Sequence, residues 1–169
     1  MNNIVLFEPE IPGNTGNIMR TCVATNTKLH LIKPLGFSLD ESHLKRSAVN
    51  YIENLNYEVY ENFEDFKSKN KGTYYYFTRY GKKPHTSFDY SNTKEDIYLI
   101  FGKESTGIPK EILHNNLDRC YRIPTSDNIR ALNLSNCVAL VTYEALRQQH
   151  FPNLLRSDPF KGEDYLEKE

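Results

Sequence analysis

The hydrophobic positions of this chain fall into short apolar runs that alternate with stretches of helical spacing. The apolar runs predict strands over residues 3–7, 28–32, 57–60, 73–78, 97–100 and 120–123. The stretches between them predict helices over residues 14–27, 40–51, 63–69, 110–114 and 133–149. Residues 80–94 contain turn-forming glycine, proline, aspartate and asparagine, which predicts a loop. Alternating strands and helices are typical of an α/β fold, with a parallel sheet and helices on both faces.

Composition favours one domain with no overall attraction to nucleic acid. The chain has 169 residues, a formal net charge of -1, 25% charged residues and 38% hydrophobic residues. Any nucleic-acid binding would therefore depend on local basic patches. We predict a single domain over residues 1–152 and a polar tail over residues 153–169, whose Phe160, Tyr165 and Leu166 could still dock on the domain.

Cysteine and histidine usage argues against disulfides and metal sites. Three cysteines are too few and too scattered for a disulfide framework or a zinc site, and the five histidines show no metal-ligand spacing. An odd cysteine count, without a signal-like apolar segment near Met1, predicts a cytoplasmic location. No apolar run approaches the roughly 20 residues of a membrane span. We therefore expect no metal and no membrane partner.

Several common catalytic motifs are absent. Gly102-Lys103 does not form a P-loop, because the upstream glycine is missing and Glu104 stands where serine or threonine should be. No Gly-x-Gly-x-x-Gly follows the first strand, which argues against a Rossmann dinucleotide site. No Gly-x-Ser-x-Gly elbow or local cysteine–histidine arrangement indicates covalent catalysis.

Three polar loops each follow a predicted strand and carry the candidate chemistry. They are residues 12–20 (PGNTGNIMR), 101–109 (FGKESTGIP) and 123–136 (IPTSDNIRALNLSN). In the second loop, Gly102 and Gly107 allow a tight turn or a close backbone approach to a ligand, and Glu104 lies between them. Ligands of open α/β sheets bind at the carboxyl ends of the strands, where all three loops should lie.

In order and spacing, these loops resemble the motifs of the SPOUT-class methyltransferases, and most of all the small tRNA ribose 2'-O-methyltransferases of the TrmL (YibK) type. The resemblance covers about residues 3–152 and is strongest over residues 8–20 and 132–148. It implies a C-terminal deep trefoil knot, a homodimer, S-adenosylmethionine as cofactor and tRNA as substrate. The expected reaction methylates the ribose 2'-hydroxyl of the wobble nucleotide (position 34, a cytidine or modified uridine) of leucine tRNAs.

The resemblance also assigns catalytic residues. It places Arg20 at the ribose and its phosphate, oriented by Glu104, with Asn14 and Asn133 nearby. Arginine is a poor base, so the hydroxyl proton would pass to phosphate or water. A plain structural alternative is that Asn14 and Asn133 are helix N-caps.

Binding residues follow in the same way. The cofactor is expected at Phe77, Thr78, Gly102, Ile123, Ala131 and Leu132. Candidate RNA contacts are Asn17, Lys45, Arg46, Arg79, Lys82, Lys83, Lys103 and Arg130. Ala131 departs from the serine usual in close relatives. Two alternatives stay open: a methyltransferase for ribosomal RNA or another tRNA position, and a knotted RNA-binding module that has lost catalysis, for which Ala131 is the only sequence hint.

Overall fold

The computed structural model describes residues 1–40 and 52–169 of the chain, and within them seven strands form one parallel sheet. The strands are β1 Asn2–Phe7, β2 Lys28–Ile32, β3 Tyr57–Tyr60, β4 Thr73–Phe77, β5 Lys83–Pro84, β6 Ile97–Phe101 and β7 Cys120–Arg122. They lie in the order β3-β2-β1-β6-β4-β7-β5, and every neighbouring pair is parallel. The predicted parallel sheet is confirmed.

Helices cover both faces of this sheet, as the alternation predicted. They are α1 Pro12–Ala24, α2 Phe63–Lys69, α3 Lys110–His114 and α4 Leu134–Gln148. Successive strand residues point to opposite faces, so Ile4 packs in the cluster that contains residues of α1 and α4. Val5 packs in the second cluster, with residues of α2 and α3. Such two-sided burial explains the nearly continuous apolar runs of the central strands.

A buried polar network crosses the second cluster at His30 on β2. Its ring nitrogens hydrogen-bond the Tyr60 hydroxyl at 2.8 Å and the Asn3 side-chain oxygen at 2.9 Å. The Tyr60 hydroxyl also lies 2.8 Å from a Glu58 carboxylate oxygen, and Glu58 pairs with Lys28 at 3.0 Å. Burial lowers the pKa of His30 to about 4, with the Lys28 charge as a smaller cause. The imidazole is therefore neutral at pH 7, and its network belongs to the core.

The first helix begins earlier than the sequence predicted. The sequence predicts a start near Asn14 or Thr15, either of which is a good N-cap, but α1 begins at Pro12, and Ile11 occupies the cap position without a side-chain hydrogen bond. Proline suits this position because its φ is already helical and its missing N–H has no helical partner to lose. Asn14 is therefore not the N-cap and lies inside the first turn of α1.

Three other regions bear on the predictions. The predicted loop over residues 80–94 is wrong in part, because β5 pairs with β7 and is followed by a 3-10 turn at His85–Ser87. Proline is tolerated in β5 because this strand lies at the edge of the sheet. In the tail, Phe160 and Leu166 are each 92% exposed and Tyr165 is 51% exposed, so these side chains do not dock. The predicted helix over residues 40–51 falls almost wholly outside the described residues.

Two predictions about the architecture are not tested by the strand order alone. The trefoil knot and the domain boundary at residue 152 stay predictions. Across the described part of the chain, no helix has the length and apolarity to cross a membrane.

Candidate active site and cofactor cleft

The carboxyl ends of β4, β6 and β7 open into a cleft of about 440 Å³. This volume is within the range of small-molecule sites, and the position is the one at which open α/β sheets bind ligands. All six residues expected to hold the cofactor line it: Phe77, Thr78, Gly102, Ile123, Ala131 and Leu132. Three loops that are far apart in sequence therefore meet around one cavity.

The floor of the cleft is apolar. The rings of Phe77 and Phe101 stack with their centroids 5.1 Å apart and their planes at 20°. Ile108 and Leu134 also line the cavity, and polar backbone groups of the glycine loop lie beside them. An apolar floor beside backbone donors and acceptors can hold a flat heterocycle such as adenine.

The loop after β6 turns back on itself, and this explains both of its glycines. The Gly107 N–H donates to the Lys103 carbonyl at 2.9 Å, and Gly107 has a φ of +72°, a conformation that favours glycine. A Cβ on Gly102 would lie 2.1 Å from the Gly107 carbonyl carbon and 2.2 Å from the Ile108 nitrogen. Gly102 is thus required by the loop's own backbone, whatever the cleft binds.

Glu104 connects this loop to the start of α1. Its carboxylate accepts the Glu10 N–H at 2.8 Å and the Ile11 N–H at 3.2 Å. In return, the Glu10 carboxylate accepts the Ser105 N–H at 2.9 Å and the Ser105 hydroxyl at 2.6 Å. These two hydrogen bonds from Ser105 hold the pKa of Glu10 below its usual value. We call residues Glu10, Ile11, Glu104 and Ser105 the carboxylate clamp.

Two asparagines extend the clamp across the mouth of the cleft. The Asn14 Nδ2 donates to Glu104 Oε1 at 3.4 Å, and the Asn133 Nδ2 donates to Asn14 Oδ1 at 3.0 Å. Asn133 is also the N-cap of α4, because its Oδ1 accepts the Ser135 N–H at 2.9 Å. The N-cap alternative is therefore right for Asn133 and wrong for Asn14. All three motif loops are joined by one chain of hydrogen bonds.

Arg20 lies further along α1 than Asn14. It is an exposed residue of α1, six positions or about 9 Å along the helix from Asn14. It does not line the cleft as the structure describes it, and the hydrogen bonds to Glu104 come from Glu10, Ile11 and Asn14. The expected orientation of Arg20 by Glu104 stays a prediction, and the shown role of Glu104 is to hold the start of α1.

The candidate RNA contacts divide into two groups. Arg79, Lys103 and Arg130 line the cleft, and Lys103 also pairs with Glu8 at 3.4 Å. Asn17, Lys82 and Lys83 are exposed but outside the cleft lining, whereas Lys45 and Arg46 lie outside the described residues.

Sequence reasoning missed several residues that the structure brings to the site. They are Glu10 and Ser105 of the clamp, and Arg122 and Thr125 of the cleft wall. A usable signal existed for Arg122, because it immediately precedes the predicted cofactor residue Ile123 at the end of β7. No local pattern distinguishes Glu10 from the other glutamates of the chain.

The cleft offers little support for covalent or metal chemistry. Cys137 lines it, but burial raises the pKa of its thiol, which donates to the Leu132 carbonyl at 3.8 Å. Among residues 1–40 and 52–169, no group of three or more histidine, cysteine, aspartate or glutamate side chains could hold a metal ion. The arrangement instead positions polar groups beside an apolar cavity.

Residues 1–143 match the model of the SpoU rRNA methylase family. The chain belongs to this family. A Bacillus subtilis protein is 50% identical over 153 residues, which are 90% of this chain and 96% of that protein. A Methylovorus glucosotrophus protein named tRNA (cytidine(34)-2'-O)-methyltransferase is 42% identical over 153 residues, which are 89% of this chain and 97% of that protein.

Solved structures agree with the SpoU family fold. A Bacillus anthracis protein superimposes with a TM-score of 0.86 and 49% identity, over 92% of this chain and 99% of that one. A structure that explains 2-OH methylation of C/U34 on tRNA has a TM-score of 0.80 and 35% identity, over 89% of this chain and 97% of that one. The match covers 96–99% of the length of each of these relatives.

Proposed function

We propose that this protein is a tRNA (cytidine(34)-2'-O)-methyltransferase that takes its methyl group from S-adenosylmethionine. The observation that carries the proposal is the cleft at the strand ends, where the six expected cofactor residues meet beside the network of Glu104, Asn14 and Asn133. Membership of the SpoU family and the full-length match to a C34-specific relative support the reaction and the substrate.

The cleft fits the proposed cofactor in size and chemistry. Its volume of about 440 Å³ suits a ligand of this size, and the stacked Phe77 and Phe101 offer an apolar floor for adenine. When bound, S-adenosylmethionine supplies a methyl group on a positively charged sulfur. The backbone around Gly102, Ile123 and Leu132 would hold it, which explains why Ala131 can replace the usual serine if only the backbone there is used.

The chain's own residues act mainly by positioning. Methyl transfer to a hydroxyl is an in-line displacement, so the rate depends on alignment and on loss of the hydroxyl proton. The clamp and the two asparagines fix the loops that would flank the ribose. Arg20 binds the ribose phosphate through its guanidinium, and the proton passes to phosphate or water, because Glu104 already accepts three hydrogen bonds.

The finer parts of the proposal concern substrate and assembly. Leucine tRNAs with cytidine or modified uridine at position 34 are the expected substrates, and the cytoplasm is the expected compartment. A homodimer would extend the RNA-binding surface of a small chain with balanced charge. On α4, Leu140 and Tyr143 are each 46% exposed, which provides apolar area for such an interface.

Mass spectrometry of tRNA from a deletion strain tests the proposal. The 2'-O-methyl group at position 34 of leucine tRNA should disappear, and return with the wild-type gene but not with Arg20→Ala. Loss of a methyl group from ribosomal RNA or from another tRNA position would instead support a methyltransferase with that substrate. No change in any RNA methyl group would support the non-catalytic module.

A further inference from the structure

A second cavity adjoins the cofactor cleft and is lined by three arginines. Its volume is about 460 Å³, and Arg79, Arg122 and Arg130 line it together with Tyr80, Thr125, Ser126, Asp127 and Ile129. All three arginines also line the first cavity. The two cavities therefore share one wall, and we call the second one the arginine pocket.

The positive charge of the arginine pocket is only partly balanced by the described residues. Among the described residues, none of the three arginines lies within 4.0 Å of a carboxylate oxygen. Arg79 packs 4.8 Å from the centre of the Tyr80 ring and donates to its hydroxyl at 2.8 Å. Arg130 donates to the Ser105 carbonyl at 3.5 Å. Asp127 lines the pocket as well, which leaves a local excess of two positive charges.

Arg122 carries an unused donor. Its Nη2 donates to the Thr125 hydroxyl at 3.2 Å, which fixes the guanidinium at the junction of the two cavities. Its Nε is shielded from solvent and has no hydrogen-bond acceptor among the described residues. Because solvent does not reach Nε, an anion that enters the pocket would meet the Nη groups of Arg122, which Thr125 holds in place.

We propose that the arginine pocket binds a phosphodiester group of the substrate RNA beside the reacting ribose, with Arg122 as its central donor. The inference rests on the proposed function. Arginine suits the task because its planar fork matches the oxygens of a phosphate and keeps its charge when partly buried. A phosphate held here would set the register of the RNA strand, so that the neighbouring ribose lies at the mouth of the cofactor cleft.

The carboxylate of the cofactor's methionine is the other anion within reach of this pocket. Both anions share the same chemistry, so binding measurements must separate them. A contact to RNA changes RNA affinity and its salt dependence, whereas a contact to the cofactor changes cofactor affinity in the absence of RNA. The phosphodiester is favoured because three arginines exceed what one carboxylate can use.

The test compares Arg122→Gln and Arg122→Lys with wild type on a synthetic anticodon stem-loop. Fluorescence anisotropy gives the dissociation constant of the RNA, calorimetry gives that of S-adenosylmethionine, and methyl transfer gives kcat and KM. Arg156→Gln is the matched control, because Arg156 is exposed, bonds the His150 carbonyl, and lies beyond the far end of the 15-residue helix α4. Thermal unfolding confirms that every variant is folded.

We expect Arg122→Gln to weaken RNA binding and raise KM about tenfold to hundredfold, the range for one charge-assisted contact. The lysine variant should fall in between, and kcat and cofactor affinity should change less than threefold. The slope of log affinity against log salt should drop by about 0.7. Replacing the phosphates beside nucleotide 34 one at a time with neutral methylphosphonates should weaken RNA binding by the wild-type protein at one linkage. The same replacement should not change RNA binding by Arg122→Gln.

Two results would overturn the proposal. One is an RNA dissociation constant for Arg122→Gln equal to that of wild type and Arg156→Gln. The other is weaker cofactor binding with unchanged RNA binding, which would assign the pocket to the cofactor carboxylate. If wild type binds the stem-loop but transfers no methyl group to it, the proposed function fails, and the anisotropy series still tests the pocket.

Discussion

Removing the Glu104 carboxylate should loosen the clamp between the glycine loop and α1. Glu104→Ala loses hydrogen bonds to the Glu10 N–H at 2.8 Å, to the Ile11 N–H at 3.2 Å and to the Asn14 side chain at 3.4 Å. A hydrogen bond to a charged group contributes about 1.5–3 kcal/mol, and the longer, exposed ones contribute less because water replaces them. We expect the free energy of unfolding to fall by about 2–3 kcal/mol, which lowers Tm by roughly 4–12 °C for a protein of this size.

The same variant should slow catalysis, because Asn14 would no longer be held toward Asn133. A misplacement of about 1 Å in a reacting complex can cost roughly hundredfold in rate, and we expect a loss of that order in single-turnover methyl transfer. Glu104→Gln keeps one acceptor oxygen and should fall between wild type and Glu104→Ala. Glu163→Ala, in the exposed tail, is the control and should match wild type.

An unchanged Tm and an unchanged transfer rate for Glu104→Ala would refute this reasoning. A double-mutant cycle with Arg20→Ala separates the clamp from the alternative role of orienting Arg20. If Glu104 acts through the clamp alone, the two effects on kcat add within about 0.5 kcal/mol. A larger coupling energy would show that Glu104 acts through Arg20.

Three further predictions concern the core, the glycine loop and the helix cap. His30 has a pKa of about 4 when folded and an ordinary value of 6.5, so the unfolded chain binds more protons as the pH falls between these values. The contribution of His30 to the free energy of unfolding is thus full above pH 6.5 and should fall by about 3 kcal/mol toward pH 4, as measured by urea unfolding. His30→Gln should remove this fall, and the exposed His114→Gln should keep it. Equal plots of stability against pH for the two variants would contradict the account. Gly102→Ala should distort its loop and abolish S-adenosylmethionine binding in calorimetry. Gly13→Ala, with nothing within 4 Å of the new methyl group, should bind S-adenosylmethionine normally. Normal binding by both variants would contradict the prediction. Asn133→Asp keeps the cap of α4 but loses the amide donor, so Tm should stay within about 2 °C while kcat falls at least tenfold, and Asn133→Ala should lose about 1 kcal/mol of stability as well; an unchanged kcat for the aspartate variant would exclude the amide link.

The sheet and its helices could be predicted because their signals are local. The central strands are buried on both faces, so they appear in the sequence as apolar runs such as residues 97–100. Helix α4 could be located within one residue of its observed ends, because Asn133 is a good cap and apolar residues follow at helical spacing. The short edge strand β5 could not, because two exposed residues, one of them proline, carry no strand signal.

The candidate site was predicted in its residues more than in its connections. The three loops could be found because strand ends and motif spacing are visible in the sequence, and the six residues that the resemblance predicts at the cofactor line one cleft. The carboxylate clamp depends on residues about 95 positions apart, such as Glu10 and Ser105, and no local pattern encodes such a pair. For the same reason the hydrogen bonds from the start of α1 to Glu104 were not foreseen, and the pairing of Glu104 with Arg20 stays a prediction.

The most direct test of the proposed function removes one oxygen atom from the substrate. Purified protein is incubated with methyl-labelled S-adenosylmethionine and two leucine anticodon stem-loops that differ only in the 2'-hydroxyl or 2'-deoxy sugar of nucleotide 34. The account predicts label on the first stem-loop and none on the second. Equal labelling of both, or labelling of neither, would contradict it.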